Sequence, residues 1–448
     1  MRSRSGTDAG GSDDDDADTA GGAISGPSSD APPPQSPRGL RSRVRAGYTR
    51  NRVLVWACIL ICANQLGFGS IVPILPLYAE TFGVSKALIG LTIAVYGLAR
   101  FLMNVPTSAI ADRYGRRQAL ALGGAVTVAG NLISALAGTY WLFLGGRFIA
   151  GAGAAMVITG TQIMVADVSE KATRGRTMSI YMGTFMFAVG LGPLPGGILG
   201  EYVSLSAPFF VYSVLGALVG LLAWFKVPET RGLRASRGEA QAASMPFIAQ
   251  LRLLTSQLGF ALISVVSFFT FFARTGAIFN LIPTLADDKI GLSSSQIGLG
   301  LAMISLVGLV LAYPSGVMVD KLGRKAVIVP STLLSGAALV LFAYAPNFPM
   351  FVLACATWAA ASGIASAAPA AYAADMAPVG MNASAMGMYR MLADFGYVAG
   401  PLLLGAAADL WSTEAALIGT AVPVVLAGTL FMLKAPETHR AVRKRMVT

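Results

Sequence analysis

Five ionisable side chains interrupt the long apolar segments of this sequence and are its first candidates for chemistry. They are four arginines and one acid, Arg100, Arg147, Arg274, Arg390 and Asp394. Taking a charge out of water is costly, so an ionisable group inside an apolar segment marks a functional site by default. A carboxylate can take up and release a proton, whereas an arginine stays cationic at physiological pH. The set therefore predicts the handling of protons and ions.

Other reactive groups are scarce. His439 is the only histidine and follows the last apolar segment, so no histidine-ligated metal, haem or acid–base site is expected within these segments. The sequence contains no Gly-x-x-x-x-Gly-Lys-Ser/Thr loop, so we expect no ATPase of its own. We predict no cofactor, no metal and no enzymatic activity.

The elements that hold these side chains follow from composition. Apolar residues make up 55% of the 448 residues and charged residues only 12%. A bilayer core of about 30 Å needs about 20 apolar residues per helix. Segments of this kind begin near Val53, Leu88, Leu120, Tyr140, Met178, Ala207, Leu258, Ile297, Ala326, Met350, Ala383 and Glu414. They predict an all-α integral membrane protein with twelve transmembrane helices.

The net charge of +11 is unevenly distributed. Most of the 33 lysines and arginines fall in segments that twelve spans place on one side, whereas Lys86 and Lys289 fall on the other. This positive-inside pattern predicts a multi-pass protein of the cell inner membrane with both termini in the cytoplasm. We interpret the basic residues as setting the membrane topology and contacting the lipid bilayer, and we expect no nucleic-acid binding.

Landmarks in the two halves of the chain recur with one spacing of 208 residues. The matched elements are Asp112-x-x-Gly115-Arg116 with Asp320-x-x-Gly323-Arg324, Ala166-Asp167 with Ala374-Asp375, Tyr181 with Tyr389, Gly192-Pro193 with Gly400-Pro401, and Lys226-x-Pro-Glu229-Thr230 with Lys434-x-Pro-Glu437-Thr438. A common spacing in order and without a gap indicates a duplicated six-helix unit. Such repeats flank a substrate path near the middle of the bilayer.

The duplication predicts a division of the chain. Residues 1–50 are too poor in apolar residues to form a core, so they are predicted to be a disordered cytoplasmic tail. Residues 51–230 and 256–436 are the predicted pseudo-symmetric six-helix bundles, joined by a cytoplasmic linker at 231–255. Residues 437–448 form a basic cytoplasmic tail.

The loops after spans two and eight share one pattern. The first is Ser108-Ala-Ile-Ala-Asp112-Arg113-Tyr-Gly115-Arg116-Arg117, and the second is Gly316-Val-Met-Val-Asp320-Lys321-Leu-Gly323-Arg324-Lys325. Glycine allows the tight turn that such a loop needs. This pattern resembles the signature loop of the major facilitator superfamily of membrane transporters. The resemblance implies two six-helix bundles that work by alternating access.

The same resemblance implies contacts that close the cytoplasmic side. Arg116 would pair with Asp167, the acid that ends span four, and Asp112 would accept from free amides at the start of span eleven. The matching residues of the second half are Asp320, Gly323, Arg324 and Asp375. The alternative is that these charges only set topology.

Three further motifs are similar to those of the drug/proton antiporter branch. Span five contains Ala188-x-x-x-Gly192-Pro193-x-x-Gly196-Gly197, which resembles the motif of proton-coupled exporters. Physically, the proline removes a backbone bond and the glycines allow close helix contact. A merely tight, kinked interface is the alternative. Leu66-Gly67 with Pro73 and Pro76, and Arg147-x-x-x-Gly151-x-Gly153, point to the same branch.

Arg100 and Asp394 form the most specific hypothesis. In the superfamily, spans two and eleven face each other, which places these two residues at similar depth on opposing helices. We expect them to pair in one state and separate in the other, so that protonation of Asp394 biases the equilibrium. The alternatives are a local contact between Arg390 and Asp394, four residues apart, and a purely structural bridge. Arg147 and Arg274 lie in the outer thirds of their spans, where snorkelling to the membrane surface is an alternative to a role on the path.

The polar minority of the apolar spans supplies candidates for the substrate cavity. These are Asn64, Gln65, Thr159, Gln162 and Asn280, together with the five ionisable residues. The sequence therefore predicts a monomeric secondary transporter that exchanges protons for a small-molecule substrate, most simply an exporter of small, largely apolar compounds. Four arginines against one acid leave open an importer or facilitator of a small anionic or polar metabolite.

Overall fold

The computed structural model describes residues 40–168, 174–230, 252–365, 368–377 and 382–438. The first helix begins at Leu40, inside the segment predicted as a tail, and residues 1–39 lie outside the described chain. Residues 231–251 of the predicted linker and 439–448 of the predicted C-terminal tail also lie outside it. The division into halves at 51–230 and 256–436 stays a prediction.

Twelve helices are long and apolar enough to cross a membrane in the described chain. Spans one to six are Arg52–Ile71, Lys86–Asn104, Arg116–Ala135, Tyr140–Val168, Ile180–Tyr202 and Ala207–Phe225. Spans seven to twelve are Leu258–Asp288, Ser294–Leu311, Arg324–Ala343, Phe348–Asp375, Ala385–Leu410 and Thr413–Lys434. The predicted all-α, twelve-span fold is confirmed, and the largest difference in a start is the four residues between Leu120 and Arg116.

Equivalent residues begin and end equivalent helices in the two repeats. Ser85 and Ser293, 208 residues apart, each cap a helix by accepting a hydrogen bond from a backbone N–H three residues later. Gly115 and Gly323 adopt positive φ angles of 110° and 98° at the turns after the helices that contain spans two and eight. A residue with a Cβ is strained at such an angle, which explains glycine at both turns.

Two spans depart from a regular α-helix. Span five breaks at Gly192, between helices Arg174–Leu191 and Pro193–Tyr202, because Pro193 lacks the N–H that would continue the ladder. Span seven passes from an α-helix at Leu258–Ala273 through a π-helix at Arg274–Leu281 to a short α-helix at Ile282–Asp288. The π-helix carries two of the predicted path residues, Arg274 and Asn280, and such segments are frequent at functional sites.

Two faces of the molecule are named from the helix ends. The terminal face holds the start of span one at Arg52 and the end of span twelve at Lys434, which an even number of spans brings to the same side. The distal face is opposite and holds Ile71 and Lys86, where span one ends and span two begins.

Candidate functional site

Each signature loop at the terminal face is held by an ion pair within its own repeat. Arg116 Nε lies 2.9 Å from Asp167 Oδ2, and both side chains are only 2% exposed. Arg324 Nε lies 3.0 Å from Asp375 Oδ2, with 19% and 35% exposure. The structure thus brings together the pair that the resemblance implied, and it repeats the arrangement in the second half with more contact to solvent.

A glutamate caps a helix at the terminal face. Glu229 accepts from the backbone N–H groups of Arg116 (3.0 Å) and Arg117 (3.2 Å), at the start of span three. Asp112 pairs with Arg116 Nη1 at 3.0 Å and is 58% exposed. Its implied contact with the start of span eleven stays a prediction, because residues 378–381, which lead into that span, lie outside the described chain.

The second half repeats this cap with Glu437. Its carboxylate accepts from the backbone N–H groups of Arg324 and Lys325, at 3.2 Å each. Thr230 and Thr438, one residue beyond each glutamate, donate to Asp167 and Asp375 at 2.9 and 3.0 Å. Sequence reasoning used the Pro-Glu-Thr motif only as a marker of the repeat. The side chain of Asp320 lies outside the described part of the structure.

Two acids cap helices of the opposite half at the distal face. Asp409, at the end of span eleven, accepts from the backbone N–H groups of Lys86 and Ala87 at 2.8 Å each. Glu201, at the end of span five, accepts from the N–H of Ser295 at 3.0 Å. We call these contacts the inter-half caps. Glu201 and Asp409 are 208 residues apart, so extending the repeat along the sequence would have found them.

Lys86 strengthens the closure of the distal face. Its Nζ donates to Thr413 Oγ1 at 3.0 Å and lies 3.5 Å from Asp288 Oδ2, both in the second half. The backbones also approach closely there. A Cβ at Gly90 would meet the carbonyl of Pro401, and one at Gly405 would meet that of Lys86. The distal ends of the two halves are thus held together by hydrogen bonds, charge and small residues.

The glycines of the span-five motif lie at helix contacts. A Cβ at Gly192 would come within 2.6 Å of the Gly69 backbone, and one at Gly196 would meet the carbonyl of Ser70. Gly197 faces span eight, where a Cβ would meet the carbonyl of Ser294. The motif therefore seats span five against span one of its own half and span eight of the other, beside the break at Pro193.

Arg147 is buried in the middle of the protein. Its side chain is 1% exposed, and its guanidinium carbon lies 4.5 Å from the centre of the Tyr96 ring. Its Nε and Nη1 atoms have no hydrogen-bond partner in the described chain. The snorkelling alternative is wrong for Arg147, because the packing of span four against Tyr96 keeps this side chain from the membrane surface.

Two other arginines lie against aromatic rings nearby. The guanidinium carbon of Arg100 is 5.9 Å from the centre of the Tyr397 ring, and that of Arg274 is 5.6 Å from the centre of the Phe279 ring. Arg390 and Asp394 are exposed on span eleven. Within the described residues, Asp394 has no ion pair within 4.0 Å with either Arg100 or Arg390. Neither the predicted pair of Arg100 with Asp394 nor the alternative pair of Arg390 with Asp394 is therefore formed in this conformation.

A small pocket lies between the two halves, beside Arg147. Its walls include Phe68, Ile93, Tyr96 and Arg147 from the first half, and Phe279 and Tyr397 from the second. The free space is about 10 Å³, enough for roughly one water molecule. The buried hydroxyl of Tyr397 has no hydrogen-bond partner among the residues that the structure describes. Tyr96 and Tyr397 were not among the predicted site residues, because tyrosine in an apolar span does not stand out by charge.

The predicted cavity residues divide into two groups. Asn64 and Gln65 are buried in the first half, where Asn64 Nδ2 donates to Gln65 Oε1 at 2.8 Å and Asn64 Oδ1 accepts from the Tyr212 hydroxyl at 3.2 Å. Asn280 is buried at the distal contact and donates to the Pro401 carbonyl at 3.2 Å. Thr159 donates to the exposed Asn104, and Gln162 is half-buried. Thr159 and Gln162 lie closer to the terminal face than Asn280 does.

The amino-acid sequence matches the model of a known family. The family model described as Major Facilitator Superfamily matches residues 57–288 and 263–446. The chain belongs to the Major Facilitator Superfamily. The predicted family is confirmed, and the protein is a multi-pass membrane transporter and not an enzyme.

Relatives and solved structures agree with this membership. An uncharacterized MFS-type transporter of Methanocaldococcus jannaschii is 24% identical over 365 residues, covering 81% of this chain and 92% of that protein. The class C tetracycline resistance protein of Escherichia coli is 26% identical over 395 residues, covering 84% and 95%. A bacterial homologue of the human lysosomal transporter Spinster, inward-facing and unoccupied, superposes with a TM-score of 0.71 at 17% identity, covering 86% and 96%.

Proposed function

We propose that this transporter exports small, largely apolar compounds from the cytoplasm, across a bacterial-type inner membrane, in exchange for protons. The observation that carries the proposal is the state of Asp394. It is the one acid in the middle of a span, and it is exposed and has no ion pair within 4.0 Å among the described residues. It lies one helix turn before Tyr397, whose ring Arg100 contacts. A charged side chain exposed at this depth is stable in water and not in lipid. Asp394 is thus suited to exchange protons with an aqueous opening.

The charge pattern supports a cytoplasmic orientation for that opening. Most lysines and arginines of the described chain lie at the terminal face, as the positive-inside rule requires of a cytoplasmic surface. The inter-half caps close the distal face, while Asn104, Arg390 and Asp394 are exposed on the terminal side of Tyr397. In this conformation a compound would therefore enter from the cytoplasm, which is the loading step of an exporter.

Proton coupling follows from the charge on Asp394. When deprotonated, its carboxylate is attracted to Arg100 on the facing span, and pairing would draw spans two and eleven together on the terminal side. A protonated Asp394 no longer needs that partner, which stabilises the separated arrangement. A proton then shifts the equilibrium by its different affinity for the two states.

The relatives support export. The class C tetracycline resistance protein matches over 95% of its length, and multidrug resistance protein 2 of Bacillus subtilis is 23% identical over 277 residues. Their names describe resistance, which is consistent with removal of a compound from the cell. The span-five motif, seated on both halves, supports the same direction.

The test is proton movement in vesicles that expose the cytoplasmic face. Purified protein is reconstituted with a pH-sensitive dye, and apolar dyes and antibiotics are added to wild type, Asp394→Asn and Glu414→Gln. Glu414 is the control because its carboxylate pairs with Lys289, at 2.9 Å within the second half. We expect compound-dependent proton flux in wild type and the control, and loss of coupling in Asp394→Asn. Full proton-driven transport by Asp394→Asn would overturn the proposal.

One observation favours a second function, import or facilitated transport of a small anionic metabolite. Arg100, Arg147 and Arg274 converge near the centre of the protein without a carboxylate within 4.0 Å among the described residues. The same vesicles separate the two functions, because an importer accumulates the compound in the opposite direction and a facilitator needs no proton gradient.

A further inference from the structure

We propose that Arg147 and Tyr397 form a subsite for the anionic head group of the substrate, so that the exported compounds are amphipathic organic anions with one carboxylate or similar compact monoanion. This inference rests on the proposed export of small, largely apolar compounds and names their chemical class. It concerns the pocket between the halves and not the proton-carrying Asp394.

Arg147 lacks the partner that a buried cation normally has. Its side chain is 1% exposed, yet Nε and Nη1 make no hydrogen bond in the described chain. The ring of Tyr96, 4.5 Å away, attracts the charge through its face but does not accept from these two N–H groups. Buried charges are ordinarily paired and hydrogen-bonded. The free donors of Arg147 therefore require an acceptor that the protein itself does not supply here.

Tyr397 brings a second unpaired donor to the same pocket from the other half. Its hydroxyl is buried without a partner, and its ring lines the pocket together with Arg147. A neutral phenol donates one hydrogen bond, and a guanidinium presents a planar set of donors that matches the two oxygens of a carboxylate. One anion between them would satisfy donors from both halves at once.

The surrounding charge favours an anion over a neutral or cationic group. Arg100 lies beside the ring of Tyr397, and Arg274 lies beside Phe279, which is another wall of the pocket. In the described chain, none of these arginines has a carboxylate within 4.0 Å. A cation would be repelled by all three, while an anion gains attraction in a region of low dielectric constant.

The rest of the pocket selects the body of the ligand. Phe68, Ile93 and Phe279 offer apolar and aromatic surface and no polar group. A fully polar anion such as a small sugar phosphate would lose hydration there without compensation. A ligand with one anionic end and an aromatic or aliphatic body satisfies both parts of the pocket.

Binding is linked to movement of the halves. The free volume of about 10 Å³ is too small for a carboxylate and the apolar body of the ligand. The pocket must therefore widen when the ligand enters from the terminal side. Its walls come from both halves, and a relative displacement of the halves changes its volume. The subsite therefore belongs to the moving interface that alternating access requires.

The test compares two probes that differ only in charge, 1-naphthoate and 1-naphthamide. Binding to the purified full-length protein in lipid nanodiscs is measured by equilibrium dialysis. Wild type should bind the naphthoate at least tenfold more tightly than the amide. Arg147→Gln should abolish this preference, and Tyr397→Phe should reduce it about threefold to tenfold. Lys434→Gln, which alters an exposed cation at the end of span twelve, should keep it.

Each outcome decides for or against the subsite. Equal binding of the two probes by wild type, or no binding of the naphthoate at millimolar concentration, overturns the proposal. If Arg147→Gln does not fold, an unchanged preference in Tyr397→Phe overturns the proposal. Failure of the export proposal is distinguishable, because naphthoate would then bind through Arg147 without any Asp394-dependent proton flux in vesicles.

Discussion

The carboxylate of Asp409 accepts hydrogen bonds from the backbone N–H groups of Lys86 and Ala87 and so joins the end of span eleven to the start of span two. The start of a helix has unpaired N–H groups and a partial positive charge, which an acid compensates. Glu201 makes the equivalent contact with Ser295 across the other side of the interface. These caps exist only while the distal face is closed, so they stabilise this conformation against the opposite one.

Removing the Asp409 cap should open the distal face. We expect Asp409→Ala to destabilise the closed conformation by about 1–2 kcal/mol, roughly a tenfold change in the ratio of conformers. The measurement is the distance between spin labels at Leu136 and Tyr344, exposed residues on the distal face of the two halves. Glu414→Gln is the control, because Glu414 pairs with Lys289 within its own half. An equal shift in both variants would contradict the role of the cap.

The two ion pairs at the terminal face should differ in their effect on stability. Arg116→Gln leaves Asp167 buried without its partner and is expected to lower the free energy of unfolding by about 3–5 kcal/mol. Arg324→Gln should cost about 1 kcal/mol or less, since water reaches Arg324 and Asp375. Thermal unfolding in the same detergent compares them, and a larger loss for Arg324→Gln would refute the argument from burial.

Glu229 should matter more for the fold than Asp112. Glu229→Ala removes an acceptor from the start of span three and is expected to cost about 1 kcal/mol of stability. Asp112→Ala removes an exposed carboxylate whose ion pair with Arg116 adds little. Melting temperatures of the two variants measure this difference. Equal melting temperatures for Glu229→Ala and wild type would show that the cap is not a source of stability.

The span-five glycines should be essential for transport where another backbone lies against them. Gly196→Ala places a Cβ against the carbonyl of Ser70, so we expect span five to shift and transport to fall at least tenfold. Gly183→Ala, in the same span, has no atom within 4 Å of the added Cβ and should retain most activity. Uptake of dye by vesicles at equal protein content is the measurement. Normal uptake by Gly196→Ala would mean that close contact with span one is not required.

Glu80 should make the closed distal face sensitive to pH. Partial burial, together with Asp288 and Asp287, raises the pKa of Glu80, and Lys86 opposes this shift. Opening the distal face would expose the carboxyl and return its pKa toward the ordinary value, so protonation favours the closed face. The closed population should therefore be largest at acidic pH and decline as pH rises through the raised pKa. The spin-label distance at Leu136 and Tyr344 should lose part of this dependence in Glu80→Gln but not in Glu414→Gln.

The sequence by itself determined the properties that depend on local pattern. Hydropathy over about 20 residues placed all twelve spans, because each helix must satisfy its own backbone hydrogen bonds in lipid. The spacing of 208 residues predicted that the contact of Arg116 with Asp167 has a counterpart in Arg324 with Asp375, since segments of similar sequence adopt similar structures. The family resemblance added the pair of Arg116 with Asp167, which the structure brings within 2.9 Å.

Only the tertiary structure decided which groups meet across distant spans. Asp409 and Lys86 are 323 residues apart, and their contact depends on how two helix ends are packed together. The burial of Arg147 under Tyr96 likewise depends on the neighbouring span, and hydropathy cannot distinguish a side chain that faces a ring from one that reaches the membrane surface. The capping role of Glu229 and the separation of Arg100 from Asp394 belong to one conformation of the halves. A sequence specifies all conformations of a transporter at once, whereas each set of contacts exists only in the packing that brings its atoms together.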